Sequence, residues 1–286
     1  MRARRIGRAR ARLVAVLAAT AIVAGFEPGP TSAALAQRLP DLRMARPLDL
    51  RITTSSSGRK LLRMTTIIAN IGQGPFALLA TRPSTGSSTM TVQQRIWRSD
   101  NTTRFVPTKG SARFAGDGHN HGHIRRVATY ELVDSRARRL RRDAKVGFCF
   151  FDTGVYNSAT PGFRPTKKFF ASGCGGRSSL RAYMGISVGW GDKYTSGLAY
   201  QWIDVTGVPG GTYWILVTAD KENYYLESNE KNNCAWAKVR LSSGAASVTT
   251  IARGQGCVPP GVVPPSPTPS PSPSPTPTPS ASPTGG

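Results

Sequence analysis

One apolar run sets the class of fold: Leu61-Leu62-Arg63-Met64-Thr65-Thr66-Ile67-Ile68-Ala69-Asn70, which ends in the turn signal Ile71-Gly72-Gln73-Gly74-Pro75. Apolar and β-branched residues in such a run, closed by Gly and Pro, are typical of a β-strand and its turn. The pattern resumes directly afterwards in Phe76-Ala77-Leu78-Leu79. We therefore expect two successive strands at this place in the chain.

Short runs of the same kind recur on both sides of this stretch. They are Leu48–Ile52, Met90–Trp97, Thr103–Val106, Val127–Val133, Gly185–Tyr194, Gln201–Val205, Gly211–Ala219 and Cys234–Leu241. Gly- and Pro-containing turns separate them, and no convincing amphipathic helix follows the N-terminal segment. The sequence therefore predicts an all-β fold, a single β-sandwich-like domain of short antiparallel strands with long irregular loops and little helix.

The N-terminal segment has the composition of a signal peptide. Six arginines between Arg2 and Arg12 precede a mostly apolar, uncharged run from Leu13 to Phe26, and Ala34-Leu35-Ala36 forms an A-x-A cleavage site. Residues 1–36 are therefore interpreted as a bacterial-type secretory signal that is removed before Gln37. The apolar run is short for a membrane span, so we expect no transmembrane segment in the mature chain. The mature protein is expected to be secreted, and either extracellular or associated with the cell wall.

The other end of the chain is a low-complexity tail. From residue 258 to residue 286 it alternates Pro, Ser and Thr and carries no charge. Such a segment cannot bury a core and is expected to be disordered and extended. Residues 37–257 remain as the predicted catalytic or binding domain.

The charge is strongly positive. The chain has 38 Lys and Arg against 15 Asp and Glu, a formal charge of +23. About +18 remains after loss of the signal's arginines and Glu27. The densest basic stretch, Arg136–Arg142, is interpreted as a solvated surface turn with nonspecific affinity for polyanions. An anionic cell-wall polymer is a candidate partner, whereas export makes a dedicated nucleic-acid function improbable.

Four cysteines lie in the second half of the domain, at Cys149, Cys174, Cys234 and Cys257. An even number in an exported chain predicts two disulfides, and the sequence allows three pairings. The local pairing, Cys149–Cys174 with Cys234–Cys257, is preferred. The absence of a C-x-x-C arrangement leaves zinc-thiolate and thioredoxin-like sites without support.

All three histidines of the chain fall in one alternating cluster, at His119, His121 and His123. On a strand, side chains two residues apart point to the same face, so the three imidazoles would project together. Three imidazoles without a thiolate suit copper or zinc, with Cu(II) favoured on affinity, and three protein ligands leave a coordination position open. The alternative is a polar strand edge or loop that happens to carry histidines.

Together with later segments, this cluster resembles the catalytic domain of lysyl oxidase, a copper amine oxidase with a quinone cofactor made from its own side chains. His119, His121 and His123 match the family's H-x-H-x-H copper motif. The segment 144–153 (AKVGFCFFDT) matches the one that carries the cofactor lysine, here Lys145. The segment 192–195 (DKYT), followed by 202–206 (WIDVT), matches the one that carries the cofactor tyrosine, here Tyr194. Agreement extends to residues 39–42, 61–63, 209–213 and 227–233.

Some positions depart from the animal members of that family. Gly118 and Tyr200 stand where those proteins have cysteine, and at most two disulfides can form here. These differences bear on the rigidity of the site and on substrate preference, and they leave the three histidines untouched.

The resemblance implies a function. Copper and a lysine tyrosylquinone formed from Lys145 and Tyr194 would convert primary amines, peptidyl lysine among them, to aldehydes, with dioxygen as oxidant and with release of hydrogen peroxide and ammonia. Asp192 is a nearby candidate for the base that removes the α-proton. The alternative is a noncatalytic β-sandwich module that binds a metal or the cell wall.

Overall fold

The computed structural model describes residues 35–114, 120–145 and 147–263. The first nine strands in these residues are β1 Gln37–Arg38, β2 Leu42–Met44, β3 Leu48–Thr54, β4 Lys60–Asn70, β5 Phe76–Thr81, β6 Thr89–Arg98, β7 Thr103–Phe114, β8 Gly122–Arg125 and β9 Ala128–Val133. The next nine are β10 Arg139–Arg142, β11 Gly147–Phe148, β12 Gly154–Val155, β13 Arg181–Ile186, β14 Trp190–Tyr194, β15 Trp202–Asp204, β16 Gly211–Ala219, β17 Cys234–Leu241 and β18 Val248–Gln255. Helical structure in the described chain consists of two 3-10 turns, Ala171–Cys174 and Ser243–Ala245. The predicted all-β class is confirmed.

The strands form three sheets, and every described pairing is antiparallel. The seven-stranded sheet has the order β11-β8-β7-β6-β5-β13, with β1 beside β6. The five-stranded sheet has the order β10-β9-β16-β17-β18, and the six-stranded sheet has β12-β14-β4-β15, with β2 and β3 also on β4. Strand β4 therefore pairs with four others, and eight of its eleven residues are buried, which explains its many apolar side chains.

Asn70 ends this central strand and shapes the turn after it. Its side-chain amide donates to the Gly74 carbonyl at 2.9 Å and to the Ile186 carbonyl at 3.1 Å, and its Oδ1 accepts the Gly72 N–H at 3.1 Å. A fully buried amide is stable here because its donors and its acceptor are used. The turn thereby delivers the chain directly into β5.

The three sheets share one hydrophobic core. Its largest fully buried side chains include Tyr130, Phe76, Phe148 and Phe150. The Phe148 and Phe150 rings are stacked with centroids 5.8 Å apart, and Tyr130 meets Phe148 edge-on at 6.3 Å. Burial of each such ring stabilises the fold by about 2–3 kcal/mol. This aromatic group lies directly beside the candidate active site.

The interpretation of the basic stretch as a solvated turn is wrong for its second half. Arg139–Arg142 forms β10, which pairs with β9 at one edge of the five-stranded sheet. Asp134 organises the preceding turn, since its carboxylate accepts the N–H groups of Arg136 and Arg138 and binds the Arg138 side chain. The arginines of β10 are exposed around the half-buried Leu140, so edge pairing leaves them in solvent.

Two further differences concern strand boundaries. The run predicted over Gly185–Tyr194 is divided between β13 and β14, because the chain turns at Gly189, whose φ of +77° favours glycine. Strand β18 follows Cys234–Leu241 and is absent from the prediction, since most of its side chains are exposed and carry no apolar run.

Both preferred disulfides are confirmed. Cys149 and Cys174 have Cα atoms 5.7 Å apart, and Cys234 and Cys257 have Cα atoms 4.8 Å apart. The first bond fixes the irregular segment after β11 to the core, and the second fixes the end of β18 to the start of β17. Across the described ranges, no helix has the length and apolar character needed to cross a membrane.

Candidate active site

Two of the three histidines converge on one point. His123 lies on β8 and His121 lies just before it, while His119 falls outside the described residues. The Nε2 atoms of His121 and His123 are 2.9 Å apart, and the rings are nearly perpendicular, at 84°. Two nitrogens bound at about 2.0–2.1 Å to one ion at roughly a right angle lie about 3 Å apart. The pair therefore has the spacing of two ligands of one metal ion, although the strand expected over the whole cluster begins only at Gly122.

Lys145 and Tyr194 lie together in the fold although 49 positions separate them in the chain. The Lys145 Nζ lies 4.8 Å from the centroid of the Tyr194 ring and 5.1 Å from that of Phe148. Lys145 is 9% exposed and Tyr194 is 7% exposed. The predicted pair is thus a buried amine over an aromatic ring, close enough for a covalent bond after a small shift.

Lys145 is positioned by the backbone that precedes it. The Asp143 N–H donates to the Tyr130 carbonyl at 2.8 Å, and the Ala144 N–H donates to the Trp202 carbonyl at 3.1 Å. These bonds hold the chain between β9 and β15 as it leaves β10. The lysine side chain then reaches inward, where Phe148 borders it.

Tyr194 is positioned by the central strand. It lies on β14 opposite Thr66 of β4, and its hydroxyl donates to the Cys149 carbonyl at 2.9 Å. Its ring meets Phe148 edge-on at 5.1 Å. Burial raises the pKa of the Tyr194 hydroxyl well above its usual range, and the nearby Asp192 carboxylate raises it further.

Asp192 shares a face of β14 with Tyr194 because the two residues are two positions apart on a strand. It is 1% exposed, and burial raises its pKa to about 7, although hydrogen bonding and the positive charge of Lys145 lower it. Its Oδ2 has no hydrogen-bond partner within the described parts of the chain. A buried carboxyl poised near neutral pH can exchange a proton with a group bound beside it.

Gly147 brings the histidine strand close to the lysine segment. It pairs with Arg125 across the β8–β11 ladder, and a Cβ at this position would lie 2.7 Å from the His123 Cβ. Glycine therefore lets the His123 side chain pack directly on β11, which begins two residues after Lys145. The histidines and the lysine–tyrosine pair consequently belong to one region of the fold.

A cavity of about 140 Å³ reaches Lys145. Its wall also contains Asp143, whose pKa burial raises to about 7, and one Oδ2 of this residue has no described hydrogen-bond partner. A larger cavity of about 340 Å³ lies elsewhere and contains none of the candidate residues in its lining. The smaller cavity is therefore the one that belongs to the candidate site, because it reaches Lys145 and the larger one does not.

Asp143 and the Cys149 carbonyl are site components that sequence reasoning missed. Asp143 follows a mostly basic and exposed stretch, so its burial has no sequence signal. Only the spacing of Asp143 two residues before Lys145 offered a clue.

The segment 227–233 has a structural role. The buried Glu227 carboxylate accepts the Leu42 N–H and the Asn233 side-chain amide, and the Ser228 N–H donates to the Pro40 carbonyl at 2.8 Å. Carboxylate oxygens of Asp220, Glu227 and Glu230 lie within 4.8 Å of one another at this junction. The segment thus ties the start of the domain to the chain between β16 and β17.

Comparison with known proteins adds an independent finding. The family model described as lysyl oxidase matches residues 83–251, which is more than half of the chain. The matched range contains every candidate residue named above.

Individual relatives match at modest identity. Lysyl oxidase homolog 2A of Danio rerio is 28% identical over 186 residues, which cover 65% of this chain and 20% of that protein. Lysyl oxidase homolog 2 of Homo sapiens is 27% identical over 176 residues, which cover 61% of this chain and 17% of that protein. Protein-lysine 6-oxidase of Sus scrofa is 28% identical over 155 residues, or 52% of this chain and 55% of that protein. The chain thus spans about a fifth of the first two relatives and about half of the third.

Proposed function

The chain belongs to the lysyl oxidase family, and on this premise we propose that it is a secreted, copper-dependent amine oxidase that uses a lysine tyrosylquinone. The observation that carries the proposal is the position of the Lys145 Nζ, 4.8 Å from the centre of the buried Tyr194 ring. A lysine and a tyrosine placed by the fold in this way are the two components that such a cofactor requires.

The proposed reaction oxidises a primary amine. One amine, one dioxygen and one water give an aldehyde, ammonia and hydrogen peroxide, so the two electrons lost by the C–N unit reduce dioxygen to peroxide. Peptidyl lysine is included among the proposed substrates.

Copper would be held by His119, His121 and His123. The 2.9 Å separation of the His121 and His123 Nε2 atoms supports this assignment, as does a donor set made only of imidazole nitrogens. When bound, copper supplies the redox chemistry with dioxygen by which the tyrosine ring is first oxidised.

Lys145 and Tyr194 would together provide the quinone, whose carbonyl accepts the substrate amine and its electrons. Formation consumes the lysine amine and two dioxygen molecules for each tyrosine ring, and releases one water and one hydrogen peroxide. The chain contributes alignment: Phe148 borders both side chains, and the Cys149 carbonyl fixes the Tyr194 hydroxyl. Burial of both residues limits the access of water to the reacting atoms.

Asp192 is the proposed base. It lies on the same face of β14 as Tyr194, it is buried, and its pKa is about 7. Its ionised carboxylate would take the α-proton of the bound amine, and its protonated form would return a proton at hydrolysis.

Secretion is proposed from the N-terminal segment, and the two disulfides support it, since such bonds persist in oxidising compartments. Protein recovered from the medium of an expressing culture should begin at Gln37 by intact mass. An anionic cell-wall polymer as partner stays a prediction from charge alone.

The test uses full-length secreted protein, loaded with one equivalent of copper and aerated. We expect a visible quinone absorbance that phenylhydrazine traps, a tryptic fragment in which the Lys145 and Tyr194 peptides are covalently joined, and peroxide release with a primary amine. Two separate peptides and no peroxide with any amine would support the noncatalytic module instead.

A further inference from the structure

The cavity beside Lys145 has a charged wall. Besides Lys145, four basic side chains line it: Arg126, Arg139, Arg142 and Lys221. We refer to these four residues as the cationic mouth. All four residues are exposed to solvent, so their charges face an approaching molecule.

One carboxylate holds two members of the mouth in place. Glu131 is 5% exposed, and it accepts Arg139 at 3.1 Å and Lys221 at 2.7 Å. A single negative charge is therefore shared by two positive charges, and the group retains a net charge of +1. Arg126 and Arg142 add two further guanidinium groups, against the exposed carboxylate of Glu222.

The basic stretch of the sequence supplies half of this mouth. Arg139 and Arg142 lie on β10, and the chain passes from Arg142 through Asp143 and Ala144 to Lys145. The same segment that carries the proposed cofactor lysine therefore carries arginines at its entrance. These arginines therefore lie at the entrance of the site. A positive charge spread over the whole surface would have no such fixed position.

The inner wall of the cavity contains a carboxyl group next to the lysine amine. The half-buried Asp143 carboxyl lies in the lining with Lys145, and its Oδ2 lacks a hydrogen-bond partner in the described chain. A substrate ammonium entering the cavity would find this carboxyl within, while groups beside the ammonium remain at the mouth. A carboxyl group is therefore present inside the cavity, while the rim is cationic.

We propose that the cationic mouth selects primary amines carried by acidic polypeptides, so that a lysine flanked by aspartate or glutamate binds and reacts in preference to one flanked by arginine. This proposal rests on the proposed function and specifies its substrate class. Arginine binds carboxylates through charge-assisted, often bidentate hydrogen bonds, whereas an arginine-flanked lysine would face like charges. Because a Debye length is about 8 Å at physiological salt, only residues near the bound lysine feel this field strongly.

The test compares three labelled peptides of one neutral frame with copper-loaded protein. The first carries lysine between aspartates, the second carries lysine between arginines, and the third carries norleucine between aspartates. Binding is measured by fluorescence anisotropy, and turnover of the two lysine peptides by peroxide release. We expect the acidic lysine peptide to exceed the basic one about tenfold or more in affinity and in kcat/KM at low salt, with the ratio falling toward one at about 0.5 M salt. The norleucine peptide should bind more weakly than its lysine counterpart, because it has no ammonium for Asp143.

Substitutions test which residues are responsible for the selectivity. The double substitution Arg126→Ala with Arg142→Ala should lower the acidic-to-basic ratio at least about threefold, since it removes the two guanidinium groups that are not bound to Glu131. Arg253→Ala is the matched control: it removes an exposed arginine from β18, at the opposite edge of the same sheet, and should leave the ratio as it is. Equal ratios in the double variant and the control, a ratio near or below one in the unmodified protein, or equal binding of the norleucine peptide would overturn the proposal.

Benzylamine separates this proposal from the function on which it rests. It carries no acidic or basic neighbour, so its oxidation tests the amine oxidase alone. If benzylamine is oxidised and the peptide ratios fail, only the selectivity is wrong. If no amine is oxidised, the oxidase proposal fails, and the binding ratios still decide whether the mouth selects acidic lysine peptides.

Discussion

At the scale of single residues, the proposed site depends on a lysine and a tyrosine that ordinary core packing would rarely place together. Lys145→Arg should keep copper binding and the fold but lose the covalent link, because a guanidinium stays charged and cannot add to a ring as a nucleophile. Tyr194→Phe should lose the link as well, since a ring without its hydroxyl is not activated for oxidation. Tryptic mapping by mass spectrometry distinguishes linked from separate peptides in each variant.

Lys193→Arg is the matched control for these changes, because Lys193 is the exposed neighbour of Tyr194 on β14. It should form the link as the unmodified protein does. A linked Lys145 peptide found in Tyr194→Phe would show that the lysine reacts with another ring, and it would contradict the assignment.

The proposed role of Asp192 as the base predicts a defined pH dependence of the rate. Only the ionised carboxylate accepts a proton, so kcat/KM should rise about tenfold per pH unit below about 7 and level off above it. Asp192→Asn should lower the rate at least about a hundredfold and remove this rise. A pH series from 5 to 9 with matured protein measures both effects.

Asp143→Asn is the informative comparison, because Asp143 also has a pKa of about 7. If the rising limb of the profile disappears in the Asp143 variant and persists in the Asp192 variant, the base is Asp143 and the assignment is reversed. Equal peptide cross-linking in both variants is needed for the comparison, so mapping accompanies the kinetics.

At the scale of elements, strand β8 and the residue before it present the described histidine rings to one point. His121→Ala and His123→Ala should each abolish stoichiometric copper binding, since each removes one of three proposed ligands, while the circular dichroism spectrum stays that of a β-rich protein. Equilibrium dialysis with copper measures the loss. A variant lacking all three histidines that still binds one copper tightly would place the metal elsewhere.

The strand whose bounds the sequence predicted best is one that is buried on both faces. Strand β4 is apolar over most of its length because it pairs with strands on both of its edges and packs in the core, and its predicted bounds differ from the observed ones by a single residue. Strands β10 and β18 are edge strands with mostly exposed side chains. Their sequences carry no apolar pattern, and only pairing within the folded sheet makes them strands.

The sequence also predicted some residues of the candidate site and missed others. His121, His123, Lys145 and Tyr194 were predicted from the spacing of the histidines and from family-like segments. Asp143 and the cavity beside Lys145 were not, because burial of a charged residue depends on backbone bonds to Tyr130 and Trp202, which lie far away in the chain. Sequence reasoning also took Arg136–Arg142 as a solvated turn, whereas Arg139 and Arg142 of that stretch border the cavity.

At the scale of the whole molecule, the two disulfides close loops of similar length but touch different regions. Their cysteines are 25 and 23 positions apart, so the chain-entropy model assigns each about 3 kcal/mol of stability. Replacing both cysteines of either pair by serine should therefore lower the unfolding free energy by similar amounts. Only the loss of Cys149–Cys174 should also slow formation of the Lys145–Tyr194 link, because the Cys149 carbonyl holds the tyrosine hydroxyl.

Chemical denaturation and peptide mapping of the two double-serine variants measure these effects. Equal slowing of the link in both variants would mean that general destabilisation, and not the carbonyl of Cys149, is responsible.

The contact between Lys145 and Tyr194 has a consequence for the stability of each molecule. The two residues are 49 positions apart, so a bond between them would close a loop that no reducing agent opens. The Cys149–Cys174 disulfide lies within this span and shortens it to about 25 positions, so in the chain-entropy model the link adds about 3 kcal/mol to the free energy of unfolding. A molecule that had folded with copper in air would thus keep a permanent covalent link. It would melt at a higher temperature than an otherwise identical molecule without the link.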